Sequence, residues 1–172
     1  MKLGDVLKKE RENKQVSVED TAEKLGIKVK EYQAMEDGES PAELWGPRLA
    51  QIAIKLETPT SRLLAESGRF ADTNQQDGQA GSLIKGHRER REVAMADIVE
   101  YINKELSALD ISDELREALQ ITEDDYLEIE AGKSELEKYG PLLLGFAEVI
   151  EQPVFNLFYP CGLPYQELDD YP

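Results

Sequence analysis

Val16-Ser17-Val18-Glu19-Asp20-Thr21-Ala22-Glu23-Lys24-Leu25-Gly26-Ile27 decides the fold. Ser17 suits a helix N-cap, because its hydroxyl accepts a bond from an otherwise unpaired first-turn N–H. Glu19 and Asp20 place negative charge in the first turn, where the helix dipole favours it. Gly26 stops the helix, since glycine enters the left-handed conformation without a Cβ penalty. Ala22-x-x-x-Gly26 therefore reads as a helix running into a tight turn.

Outward from this stretch the periodicity stays helical. Leu3, Val6 and Leu7 recur at helical spacing among Lys and Glu and predict a first amphipathic helix. A third helix is predicted from about Lys28 to Glu36, with Tyr32 and Met35 on its buried face and Gly38 ending it. A fourth is predicted to start at Pro47, a residue suited to a first helical turn, with Leu49, Ile52, Ala53 and Leu56 inward. A short fifth helix is predicted after Pro59, burying Leu63 and Leu64. No run with a β period exceeds four residues, so the fold class is all-α.

The pattern occurs twice. Trp45-Gly46-Pro47 and the apolar rhythm up to Pro59 recur as Tyr139-Gly140-Pro141 up to Pro153, at an offset of 94. The same offset carries Tyr32, Glu36 and Gly38 onto Tyr126, Glu130 and Gly132. Upstream the offset is 77: Leu7 meets Ile84, Arg11 meets Arg88, and Val16-Ser17-Val18 meets Val93-Ala94-Met95. The difference of 17 is an insertion in the second copy, over about Asn103 to Leu119. The chain therefore divides into a domain at 1–67, a flexible linker at 68–82 and a second domain at 83–172 that ends in a non-helical, aromatic-rich tail. Copies of this size bury only about 60% of their unfolded surface, so each core should be marginal alone.

Leu7, Arg11, the Val16–Ile27 stretch, Tyr32, Met35-Glu36, Gly38, Leu49, Ile52, Ala53, Leu56 and Leu63 resemble the five-helix helix-turn-helix domain of lambda-type repressors and of the XRE family of bacterial regulators. The resemblance covers nearly all of residues 1–66. The second copy is similar but degenerate: Ile102 stands at the place of Leu25, and the turn glycine has no counterpart. The expected architecture is two such domains in tandem, the second carrying a helical insertion. The resemblance implies a buried ion pair between Arg11 and Glu36 and, in the second copy, between Arg88 and Glu130. A planar guanidinium can join two helices bidentately, whereas either charge alone would be costly to bury.

It also implies where DNA would be read: the start of the third helix in the major groove, assisted by the start of the second. Those positions hold Ser17, Val18, Lys28, Val29, Lys30, Glu31, Gln33 and Ala34. Lys30 and Gln33 carry donors for base edges, Val29 suits a thymine methyl, and Glu31 can only accept. Lys24, Lys28, Lys30 and Arg48 are candidates for phosphate contacts, with Glu39 and Glu43 placed in the loop that would cross the backbone. The alternative is that these lysines are an ordinary solvated face.

Charge separates the copies. The chain has 172 residues and a net charge of −16; residues 1–70 carry −1 and residues 71–172 carry −15. A uniformly basic nucleic-acid binder is excluded. Glu123, Asp124 and Asp125 open the third helix of the second copy behind Thr122, a candidate N-cap. They complement the helix dipole and would repel phosphate, so this copy should not bind DNA there. As a metal site they are disfavoured, because consecutive helical residues point in different directions. In the insertion, Leu106, Leu109, Leu115 and Leu119 form an apolar face, and Ser112 or Asp113 is positioned to cap a helix. That face either covers its own domain or, with the acidic residues, offers a surface to a protein partner or a second copy of the chain.

One cysteine, Cys161, cannot form an internal disulfide, and the start lacks the apolar core of a signal peptide. The expectation is a cytoplasmic protein with no cofactor and no catalytic constellation. Two functions follow. The first is an XRE-like regulator whose first copy contacts double-stranded DNA while the acidic copy mediates self-association or protein contact. The second is an adaptor or acidic partner protein that keeps the fold without binding DNA.

Overall fold

The computed structural model describes residues 3–56, 79–108 and 112–150, and all regular structure among them is helical. The first copy contributes α1 (Leu3–Asn13), α2 (Val18–Leu25), α3 (Val29–Glu36) and α4 (Ala42–Lys55). The second contributes α5 (Gln79–Arg90), α6 (Met95–Glu105), a 3-10 turn (Leu106–Ala108), α7 (Asp113–Leu119), α8 (Glu123–Glu130) and α9 (Leu136–Ile150). The helix predicted after Pro59, the middle of the linker, Leu109 and the tail lie outside the described residues.

Local chemistry sets most boundaries. Asp20 N–H donates to Ser17 Oγ at the start of α2. Gly26, at φ 71°, closes the helix with its N–H directed to the Ala22 and Glu23 carbonyls. Ser112 caps the inserted α7 in the same way through Leu115 N–H. Gly38 and Gly132 both take the left-handed conformation after α3 and α8, at φ 74° and 75°.

Two boundaries differ from the sequence expectation. Helix α4 starts at Ala42 rather than Pro47. Proline in a helix interior loses one backbone bond, but Gly46 before it has no Cβ to clash with the ring. Burial of Ala42 and Trp45 carries the helix through that point. Pro141 lies inside α9 behind Gly140 in the same manner. Helix α5 reaches back to Gln79, into the segment read as linker. Its first N–H groups have a distant acceptor: Ala80 and Gly81 donate to the Glu137 carboxylate at 3.0 and 2.8 Å. The first copy repeats this clamp, with Leu3 and Gly4 donating to Glu43 at 3.0 and 2.7 Å. A carboxylate at the start of the fourth helix thus caps the first helix of its own copy.

Both expected ion pairs are present. Arg11 Nε donates to Glu36 Oε2 at 2.6 Å and Nη2 to Oε1 at 3.2 Å, while Nη1 reaches the Val16 carbonyl at 2.9 Å. Arg88 does the same to Glu130 at 2.6 and 3.0 Å and to the Val93 carbonyl at 3.0 Å. These bonds hold both guanidinium pKa values above their ordinary range. The buried Tyr32 and Tyr126 lie beside the two pairs, and desolvation pushes both phenols far above theirs.

The copies then interlock. Helix α4 packs along α9; α9 also covers α2, and α4 covers α6. Each fourth helix therefore covers the second helix of the other copy, and the buried apolar residues form one core across both. Tyr32 stacks on Phe146 across that boundary, with 6.2 Å between ring centroids. The insertion is built in: Leu106 and Leu119 are buried, α7 rests on α4, and the Asn103 side chain bonds both backbone groups of Ile121. No helix among the described residues is long and apolar enough to cross a membrane.

The helix crossings predict a contrast among glycines. A Cβ at Gly4 would run into the Met35 and Glu36 carbonyls, and one at Gly81 into those of Ile129 and Glu130. Backbone cannot move aside as a side chain can, so Gly4→Ala and Gly81→Ala should each cost roughly 1–3 kcal/mol. Gly86→Ala meets only the far end of Arg90 and should be neutral or stabilise by up to about 1 kcal/mol. Denaturant midpoints of the three variants measure this.

Candidate nucleic-acid interface

Helices α2 and α3, joined at Gly26, present the positions expected to read DNA. Ser17, Lys28, Val29, Lys30, Glu31 and Gln33 are exposed, and Val18 and Ala34 are half-buried. Ser17 is occupied as the α2 cap. Lys28 takes the N-cap position of α3 without a side-chain cap bond. Gln33 lies four residues after Val29 and three after Lys30, which places it on the same stripe of the helix.

The structure divides these residues into two groups. Glu31 forms an ion pair with Lys138 of α9 at 3.5 Å. Both side chains are about half exposed, so the pair contributes little stability; in this structure it turns Glu31 toward α9. Glu31 and Ala34 also line a small cleft against Tyr139 and Leu142 of α9. Among the described residues Lys28 and Lys30 enter no ion pair, leaving two ammonium groups, the Gln33 amide and the partly exposed Val29 on the outer side of α3. The amino end of α3 also carries the positive pole of the helix.

Arg48 does not belong to this surface. It is only 8% exposed. Its Nη2 donates to the carbonyls of Ala118 and Gln120 at 3.1 and 3.4 Å, and its guanidinium lies over the Trp45 ring at 5.0 Å. Glu43 is likewise not a loop residue: it sits in the first turn of α4 and caps α1.

The equivalent surface of the second copy is acidic. Asp125 N–H donates to Thr122 Oγ1 at 3.1 Å, and Thr122 N–H donates to Asp125 Oδ2 at 2.9 Å. This reciprocal capping box starts α8. It leaves Glu123, Asp124 and Asp125 exposed around the helix start. No group of three or more His, Cys, Asp or Glu suited to a metal ion occurs among the described residues. Of the insertion residues considered as a partner surface, Leu106 is in the core and Leu115 is half-buried against it. Leu127 emerges instead, 52% exposed, where the repeat places Gln33. Periodicity offered a signal for it, since an apolar residue replaces a polar one on the outward stripe of the third helix.

Compared with known protein families, curated proteins and solved structures, the chain matches none.

The capping box yields a titration prediction. Backbone and side-chain bonds from Thr122 hold the Asp125 carboxylate below the usual aspartate range. Its folded pKa is depressed, so its contribution to stability is present above the unfolded value and lost as pH falls through the folded one. That contribution is small because the group is exposed. In a carboxyl-carbon NMR titration, Asp125 should titrate below a solvated aspartate, and Thr122→Val should raise it toward the ordinary value.

Proposed function

We propose that the chain is an XRE-like, cytoplasmic transcriptional regulator built from two lambda-repressor-like helix-turn-helix copies. The first copy contacts double-stranded DNA through α2 and α3, and the acidic second copy serves self-association or protein contact. The observation that carries this reading is the donor set at the amino end of α3: Lys28, Lys30 and Gln33 are exposed and, among the described residues, outside any ion pair.

In this arrangement Lys24 and Lys28 face phosphates, with Ser17 and Val18 at the flank of the groove. Lys30 donates to guanine, Gln33 pairs with adenine, and Val29 touches a thymine methyl. Glu31 and Ala34, turned toward α9, contribute less to base reading than the resemblance implies. Only one copy engages DNA, because the carboxylates at the start of α8 would face phosphate. One half-site is a small footprint, so affinity should be modest and depend steeply on salt.

Leu127 favours a second reading. An exposed leucine ringed by Glu123, Asp124 and Glu128 has the chemistry of a protein contact. On that reading neither copy binds DNA, and the chain is an adaptor or acidic partner protein.

Fluorescence anisotropy of the full chain on mixed-sequence duplexes across a salt series separates the two. The regulator reading expects binding whose logarithm falls with log salt by about 0.9 per phosphate neutralised. It also expects the double variant Lys28→Glu, Lys30→Glu to weaken binding by about tenfold or more. Unchanged affinity in that variant removes the groove-facing role of α3. An absence of binding by the parent chain at low salt transfers the function to the second reading.

A further inference from the structure

The cleft beside Arg48 carries an inference independent of DNA binding. It lies between α4, the first two turns of α8 and the loop before α9, and measures about 290 Å³, at the small end of ligand pockets. Trp45, Arg48, Asp125, Glu128, Lys133 and Glu135 line it. The interlocked repeat supplies an internal control, because the cleft against α3 is built from equivalent positions. There Leu142 stands for Arg48, Tyr139 for Trp45, Ala34 for Glu128 and Pro41 for Glu135. At the equivalent place a leucine suffices, but no inserted helix lies beside it; Arg48 has the carboxyl end of the inserted α7 as an additional neighbour.

Among the described residues Arg48 has no carboxylate partner. Two bonds from Nη2 secure the carboxyl end of the inserted α7, while Nε is buried with no acceptor. Burial lowers its pKa and only the field of Asp125 opposes that, which is the signature of a buried cation short of negative charge. Nε is closed to solvent, whereas Nη1 is not and makes no hydrogen bond among the described residues, so it is the donor that an oxygen entering the cleft can meet. Around the opening, however, Asp125, Glu128 and Glu135 outnumber Lys133, so a simple anion entering the cleft would be repelled.

We propose that this cleft binds a small zwitterion of the free α-amino-acid class, with its carboxylate on Arg48 and its ammonium among Asp125, Glu128 and Glu135. Carboxylate and guanidinium match in geometry. The acidic rim then becomes an attraction, and it discriminates against carboxylic acids that lack an amine.

Trp45 is the sole tryptophan of the chain and lies in this cleft, so its fluorescence reports occupancy directly. The full chain is titrated with each of the common L-amino acids, with the matching decarboxylated amines and with the N-acetyl acids. Saturable change is expected for one or more free amino acids, with the amine and the N-acetyl form each at least tenfold weaker. Arg48→Leu, which copies Leu142, should weaken that binding by about thirtyfold or more, as loss of one partner of a buried charge pair does. Glu128→Ala, which copies Ala34 on an exposed position, keeps the test open should Arg48→Leu unfold; it should weaken the amino acid and leave the N-acetyl acid unchanged or tighter. Equal binding of amino acid and N-acetyl acid would reduce the cleft to an anion site and overturn the proposal. No saturable change with any of the compounds, or full binding by Arg48→Leu with a native circular dichroism spectrum, would overturn it too.

Discussion

The guanidinium of Arg11, and its counterpart in Arg88, is the joint on which each copy turns. Arg11 ties three places at once: its own helix α1, the Val16 carbonyl just before α2, and Glu36 at the end of α3. A planar fork satisfies such an arrangement, whereas the ammonium of lysine has no second edge to offer. The geometry needs a sharp reversal between α1 and α2. Gln15 and Glu92 supply it at φ 57° and 55°, a conformation that non-glycine residues rarely adopt. Buried tyrosine rings exclude water from the pair, which strengthens the attraction and makes loss of either partner costly. With α1, the α2 entry and the α3 exit pinned together, the three helices of one copy are held in place relative to one another.

The interlocking of α4 and α9 follows from size. The described helices of one copy have too little apolar surface to bury among themselves. Each fourth helix solves that by covering the second helix of the other copy, and the two partial cores merge. One consequence concerns function. The inner face of α3 meets Phe146 through Tyr32, and its Glu31 meets Lys138, so the α3 surface proposed for DNA contact is partly shaped by the acidic copy. A change in the packing of α9 would be felt at α3 through those two contacts.

What the residues revealed in advance were features encoded within a few positions of one another. The Ser17 and Ser112 caps, the Gly26 turn and the Thr122 start are local in this sense, and the ion pairs were legible because the repeat and the resemblance marked both partners. The departures share an opposite cause. Pro47 reads as a helix start until the burial of Ala42 and Trp45 is known. Gln79 reads as linker until Glu137, far along the chain, appears beside Ala80 and Gly81. Arg48 reads as a surface cation until Trp45, Ala118 and Gln120 surround it. For Gln79 and Arg48 the deciding partners are remote in sequence, and for Pro47 what decides is the burial of near neighbours by packing from elsewhere; periodicity carries no record of either.

The two copies also act as a comparison inside one chain. Arg11 and Arg88, Glu36 and Glu130, Tyr32 and Tyr126, Glu43 and Glu137, and the glycines after α3 and α8 agree because the same bonds must be made twice. Where the copies differ on a common scaffold, the fold is not what dictates the residue. Lys28, Val29, Lys30 and Gln33 against Thr122, Glu123, Asp124 and Leu127 is one such divergence. Arg48 against Leu142 is another divergence, but there the scaffold differs as well, because Arg48 bonds the carbonyls of Ala118 and Gln120 beside an insertion that the first copy lacks, while its Nε stays without an acceptor. Differences that are free on the surface can accumulate without consequence; a difference that costs burial energy needs a compensating interaction. For Arg48 the Ala118 and Gln120 carbonyls supply part of that compensation, and the ligand carboxylate proposed for the cleft between α4 of the first copy and α8 of the second would supply more.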